Sequence, residues 1–266
     1  MNILFEHIEN SVRSYHGIAL DEQECRDQLQ NTVKDNLQDR VEWQDSLDRL
    51  RALRDETGFE ASEGLFADIQ ALESAEIQVQ QFRVGEAYAE VVLEQEFSCR
   101  FHWNENRDAR NPKGNKTGAD LVGFIESDGQ VLFLFGEVKT SSETDNRPPQ
   151  VMTNAHGIES QLRDLYNDRY KRLTLITYLK NKMRHFPDGH PFRTDFKASE
   201  RSYYSDEDFH LIGVLVRDIE HDERDISLSY GRLKNHILVP RGIKLLAMYL
   251  PISKENWIEI INRKSE

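Results

Sequence analysis

Glu137 and Lys139 stand two residues apart at the end of an apolar run, residues 130–139 (QVLFLFGEVK). In an extended strand, residues two apart leave the same face, so a carboxylate and an ammonium are presented together where the pattern otherwise demands burial. Asp120 lies in an earlier strand-like segment, residues 117–125 (TGADLVGFI), and the Ser127-Asp128-Gly129 turn folds the two segments into a hairpin. That hairpin brings Asp120 beside Glu137, with Lys139 adjacent. Two hard oxygen ligands at one point, without histidine or cysteine, suit Mg²⁺ or Mn²⁺ rather than zinc. The matching chemistry is phosphodiester hydrolysis, with a divalent ion polarising the phosphate and a lysine orienting water or stabilising developing charge. A further carboxylate, Glu86 or Glu90, lies on a helix-prone stretch, residues 85–94, where a spacing of four puts both on one face to complete the shell or hold a second ion.

These residues need a frame. The run 131–135 is apolar on both faces, as in a central strand covered from both sides. Upstream, 85–94 reads as a helix and 97–103 alternates like a strand; downstream, Pro148-Pro149 ends the strand and 154–170 and 173–183 read as helices. Residues 209–216 and 243–250 read as buried strands around an acidic turn at 222–225, and 254–262 as a closing helix. The order predicts an α/β fold with a mixed central sheet flanked by helices.

Residues 1–81 read differently from 82–266. From 21 to 54 the chain is polar and helix-prone, with a narrow apolar stripe through Leu29, Val33, Leu37, Val41, Leu47, Leu50 and Leu53, and a second helical pattern follows at Leu65, Phe66, Ile69 and Leu72. The formal charge of −13 is concentrated here: residues 1–80 hold 18 acidic against 7 basic side chains, leaving 29 against 27 for the rest. The expectation is an acidic helical region, 1–81, that caps the catalytic domain or docks a partner, and a domain at 82–266 to which any DNA contact falls. Lys113 and Lys116, with Arg107 and Arg110, lead into Asp120 and are candidate phosphate contacts; Arg169, Lys171, Arg172, Lys180, Lys182 and Arg184 form a second basic cluster, as compatible with a solvated surface as with DNA. Two cysteines, Cys25 and Cys99, imply no disulfide framework, the N-terminus lacks a secretory pattern, and the apolar runs are too short to span a bilayer, so a cytoplasmic protein is expected. His185 and His190 flank Pro187 without zinc-type partners, and Trp43, Trp103 and Trp257 are scattered as core or cap contacts are.

The runs GADLVGF (118–124) and FGEVKTS (135–141) together resemble the PD-(D/E)XK nuclease superfamily, with Ala119 in place of the usual proline. The resemblance implies a restriction-endonuclease-like fold and Mg²⁺-dependent DNA cleavage, with Asp120, Glu137 and Lys139 as catalytic residues. It further implies Glu86 as the helical glutamate, with Glu90 as second choice, and Gln161 on the following helix as a substrate- or water-positioning residue. The stretches GEVKTSSE, PPQVM and HGIESQL are also similar to the nuclease subunits of Hachiman anti-phage defence systems (HamA), which implies a helicase partner and a defence role. The rival reading is a catalytically silent member of the same fold, binding DNA or serving assembly; a more distant one is an unrelated metal-dependent hydrolase.

Overall fold

The computed structural model describes residues 1–38, 40–74, 77, 79–103 and 118–263. In chain order the elements are β1 (Asn2–Asn10), β2 (Arg13–Ala19), α1 (Glu22–Gln30), α2 (Thr32–Gln38), α3 (Arg40–Arg54), α4 (Glu63–Ser74), α5 (Gln81–Glu96), β3 (Cys99–Arg100), β4 (Leu121–Ser127) and β5 (Gln130–Thr140). They continue with α6 (Gln150–Thr153), α7 (Ile158–Asn167), α8 (Arg169–Met183), α9 (Pro191–Asp206), β6 (His210–Arg217), α10 (Ser227–His236), β7 (Gly242–Tyr249) and α11 (Trp257–Asn262).

The described strands form one seven-stranded mixed sheet ordered β1-β2-β7-β6-β5-β4-β3. The run β2, β7, β6, β5 is parallel, and β1, β4 and β3 pair antiparallel at its two ends. Strand β5 is interior and alternates strictly between two apolar layers. Leu132, Leu134 and Val138 pack into the layer of α1, α2, α5 and α11, whereas Phe133 and Phe135 pack into that of α6 to α10. This is the α/β architecture expected from the pattern, with both faces of the parallel strands covered.

The N-terminal region departs from the acidic helical reading. Residues 2–19 form a hairpin that adds two strands to the sheet, with β2 parallel to β7. Its polar outer strand hid the pattern: β1 is largely exposed, and only β2 supplies buried residues, Tyr15 and Ile18 among them. Helices do follow. Cys25, Leu29, Val33 and Leu37 of α1 and α2 share one apolar layer with Val84, Tyr88 and Val92 of α5, so packing runs straight across the boundary expected near residue 82. Helices α3 and α4 instead close a small core of their own around Leu47, Leu65 and Ile69. Among the described residues no helix is long and apolar enough to cross a membrane.

Candidate active site

The β4–β5 hairpin sets the geometry. Asp128 and Gly129 both take positive φ, 51° and 73°, the conformation of a two-residue turn that glycine adopts without strain. The register then pairs Ser127 with Gln130 through to Leu121 with Gly136, and one further step places Asp120 opposite Glu137. Asp120 sits just before β4 rather than within it, its amide donating to the Gly136 carbonyl at 3.0 Å. Because β4 has not yet begun, Val138 has no strand partner there, and its amide donates instead to Asp120 Oδ2 at 3.0 Å. The aspartate is thereby held in place by the strand it faces.

Glu137 and Lys139 project into the α6–α10 layer, on the same face as Phe133 and Phe135. Glu137 is 6 % exposed and accepts a hydrogen bond from Lys139 Nζ, which lies 4.0 Å from Asp120 Oδ2. Burial raises the Glu137 carboxyl to about 7, the neighbouring Asp120 charge adds to the rise, and Lys139 only partly counters it. For Lys139, burial works against the charged form, but Glu137, Asp120 and Glu86 outweigh it and the ammonium is stabilised. The result is a half-buried pair of apposed carboxylates with Lys139 in contact. Comparison with family models and with curated proteins finds no match for this chain.

Glycine governs how closely the surrounding elements approach. On β6, Gly213 pairs with Glu137, and a Cβ at that position would lie 2.5 Å from Ile158 Cγ2 and 3.3 Å from Leu162 Cδ1 of α7. Helix α7 thus rests directly on the strand beside the site. On the other face, a Cβ on Gly85 would lie 2.3 Å from Thr140 Oγ1, so the first turns of α5 sit against the end of β5.

That approach brings Glu86 within electrostatic reach of Lys139, yet its carboxylate is paired with Arg83 at 3.0 Å in a buried contact. Glu90 turns elsewhere, accepting from Asn36 of α2 at 2.9 Å. Of the two helical candidates, Glu86 is the one placed to influence the site. Gln161, half-buried on α7, accepts from Lys171 Nζ of α8 at 3.2 Å. Lys113, Lys116, Arg107 and Arg110 lie outside the described residues. Within the second basic cluster, Arg172 is a core residue, stacked 4.7 Å over the Phe209 ring and donating to the Leu165 carbonyl at 2.7 Å, which removes it from the surface. His190 caps α9 through Nδ1, which accepts from the Phe192 amide.

The donor set fits a small hard cation. Glu137 is buried and Asp120 half-buried opposite it, burial with a smaller contribution from Asp120 drives the Glu137 carboxyl toward neutrality, and among the described residues neither histidine nor cysteine adjoins them, as suits Mg²⁺ or Mn²⁺ held by one or two carboxylates. Among the described residues no group of three or more His, Cys, Asp or Glu side chains converges on one point, so the other coordination positions would fall to water and phosphate oxygens.

The segment after Lys139 is fastened by a network the sequence did not disclose. Arg217, fully buried at the end of β6, donates Nη2 to the Glu143 carbonyl at 2.5 Å, and its Nε lies 3.4 Å from Asp225 Oδ2. Asp225, also fully buried, accepts from Arg147 at 2.6 Å and from the Tyr249 hydroxyl at 2.9 Å. One carboxylate therefore serves two arginines and locks the Glu143–Arg147 stretch onto the C-terminal end of β6. An arginine ending the apolar run HLIGVLVR was the available signal.

Proposed function

We propose that this chain is a Mg²⁺- or Mn²⁺-dependent nuclease that hydrolyses DNA phosphodiester bonds. The observation that carries the reading is the direct cross-strand apposition of Asp120 and Glu137 with Lys139 in contact, which is the arrangement the PD-(D/E)XK resemblance requires. Asp120 and Glu137 are the residues that would hold the ion. When bound, the ion supplies Lewis acidity at a phosphoryl oxygen and a lowered pKa for water. Lys139, held between the two carboxylates, orients the attacking water and stabilises charge on the phosphoryl oxygens. The water oxygen forms a bond to phosphorus as the bond to the leaving alcohol breaks, and the water's proton ends on that alcohol. Gly213 and Gly85 set the walls by letting α7 and α5 close on the site.

The likeness to Hachiman nuclease subunits extends this reading to an anti-phage effector working with a helicase, with the acidic N-terminal helices as the docking side. A second reading has a specific basis in the Arg83–Glu86 pair: a helical glutamate already neutralised by arginine would suit a catalytically silent fold that binds DNA or serves assembly. Cleavage of plasmid, linear and single-stranded DNA, and of RNA, with Mg²⁺, Mn²⁺ or EDTA separates the two. Metal-dependent cutting that disappears in Glu137→Ala and Lys139→Ala supports the nuclease. Absence of cutting in every condition, with and without a cell lysate to supply partners, supports the silent subunit.

A further inference from the structure

The layer that covers the face of Glu137 and Lys139 carries charge of the opposite sign to the rest of the chain. Residues 169–201, which span α8 and most of α9, hold nine basic against three acidic side chains, a net +6 in a protein of net −13. Helix α8 itself (RYKRLTLITYLKNKM) contains no acidic residue. On the opposite sheet face, α1 carries Glu22, Glu24 and Asp27 against Arg26. The molecule is electrostatically two-sided.

Helix α8 buries Leu175, Ile176, Leu179 and Met183 and turns Tyr170, Asn181 and Arg184 outward, with Tyr170 78 % exposed. Arg172 is buried; Lys180 and Arg184, four residues apart, share one flank of the helix, and Lys171 stands on the other. Lys171 is steadied by the neutral Gln161 carbonyl, Arg169 reaches Glu207 through an exposed contact at 3.3 Å of the kind that contributes little in water, and Lys180 meets Glu200 at 3.2 Å in a half-buried one. The middle of α8 is also close to the site: a Cβ on Gly118, two residues before Asp120, would lie 2.9 Å from Leu175 Cδ2. Asp164 and Asp168 line an open groove with Arg169, Tyr170 and Lys171 at the N-terminal end of the helix, so the basic outer surface falls on its C-terminal part, where Glu200 is the acidic neighbour of Lys180.

We propose that the outer face of α8 is the surface on which the phosphate backbone of a nucleic acid lies, with Lys180 and Arg184 as principal contacts. The charge complementarity is with a polyanion, whose backbone phosphates are met by lysine and arginine side chains. This deepens the nuclease reading and rests on it for the nature of the polyanion.

The test is fluorescence anisotropy with a short labelled DNA duplex, using the full chain in EDTA so that binding is read without cleavage. Wild type binds with an affinity that falls steeply with salt. Lys180→Gln/Arg184→Gln binds about tenfold more weakly or worse, and its slope of log K against log salt is shallower by about two, one for each phosphate no longer neutralised. Arg26→Gln, on the opposite face, binds as wild type. The glutamine pair preserves helix propensity, and circular dichroism melting confirms that each variant folds.

Equal binding by the double variant overturns the proposal, as does absence of salt-dependent binding by wild type. A wild-type dimer in sedimentation that the double variant loses also overturns it, assigning the face to a second copy of the chain. Binding abolished in the double variant with no cleavage under any metal removes the nuclease reading and keeps the surface; metal-dependent cleavage with unchanged binding does the reverse.

Discussion

Gly213→Ala tests how tightly the site's walls are specified. The added methyl would stand 2.5 Å from Ile158 Cγ2, 2.8 Å from Leu245 Cδ2 and 3.3 Å from Leu162 Cδ1. Ordinary carbon contacts are about 3.5–4.0 Å, so α7 must retreat by roughly 1 Å or the side chains must leave their rotamers. Overpacking of that kind costs about 1–3 kcal/mol, which for a chain of this size lowers the melting temperature by roughly 4–8 °C at the middle of the range. Since Gly213 pairs with Glu137, the displaced helix is the one that closes over the carboxylates. A 1 Å misplacement of positioning elements can cost about 100-fold in rate, so cleavage falls more than stability does. The assays are thermal melting and metal-dependent cleavage, with Gly213→Ala/Ile158→Leu as the rescue, because leucine lacks the offending β-branch methyl. A Gly213→Ala protein with unchanged melting and unchanged cleavage refutes the close approach of α7, and a double variant no better than the single one refutes its cause.

Asp225→Asn leaves Arg147 and Arg217 without their shared counter-charge and destabilises by about 3–5 kcal/mol in urea unfolding; a loss below about 1 kcal/mol contradicts the network. His210 is buried with both ring nitrogens unpartnered, and burial lowers its pKa from the ordinary 6.5 to about 4. Its folded pKa lies below its unfolded one, so the stability it leaves intact above pH 6.5 is lost as pH falls through 4, by about 3 kcal/mol in all. Urea unfolding at pH 7 and pH 5 reads this, and a wild type no more pH-sensitive than His210→Leu rules it out. Asp120→Asn keeps an oxygen for the Val138 amide but halves the charge of the carboxylate pair. It melts close to wild type and loses metal-dependent cleavage by at least about 1,000-fold, whereas a variant that unfolds would make Asp120 structural.

The apposition of the candidate residues was more legible than the frame around them. Asp128-Gly129 dictated the hairpin, strict alternation in β5 dictated which side chains share a face, and from these the apposition of Asp120 and Glu137 follows by register alone. The hairpin β1–β2 escaped notice because its outer strand is polar and solvated, so it lacks the apolar alternation of a half-buried strand. Helix α9 buries only Phe192, Phe196, Tyr203 and two small or acidic residues among polar neighbours, although its start was marked by His190 as cap and Pro191 in the first turn. The partner of Glu86 was three residues away on its own helix, but which of several possible partners a glutamate takes depends on how α5 rests on Thr140, and that contact is tertiary.

The most direct measurement is Mn²⁺ uptake by the purified chain, followed by the loss of the free-ion electron paramagnetic resonance signal. Uptake by wild type that is lost in Asp120→Ala and in Glu137→Gln, and retained in Lys139→Ala, is the predicted result. No uptake at millimolar Mn²⁺, or uptake indifferent to both carboxylate substitutions, would contradict the assignment of Asp120 and Glu137 as a metal site.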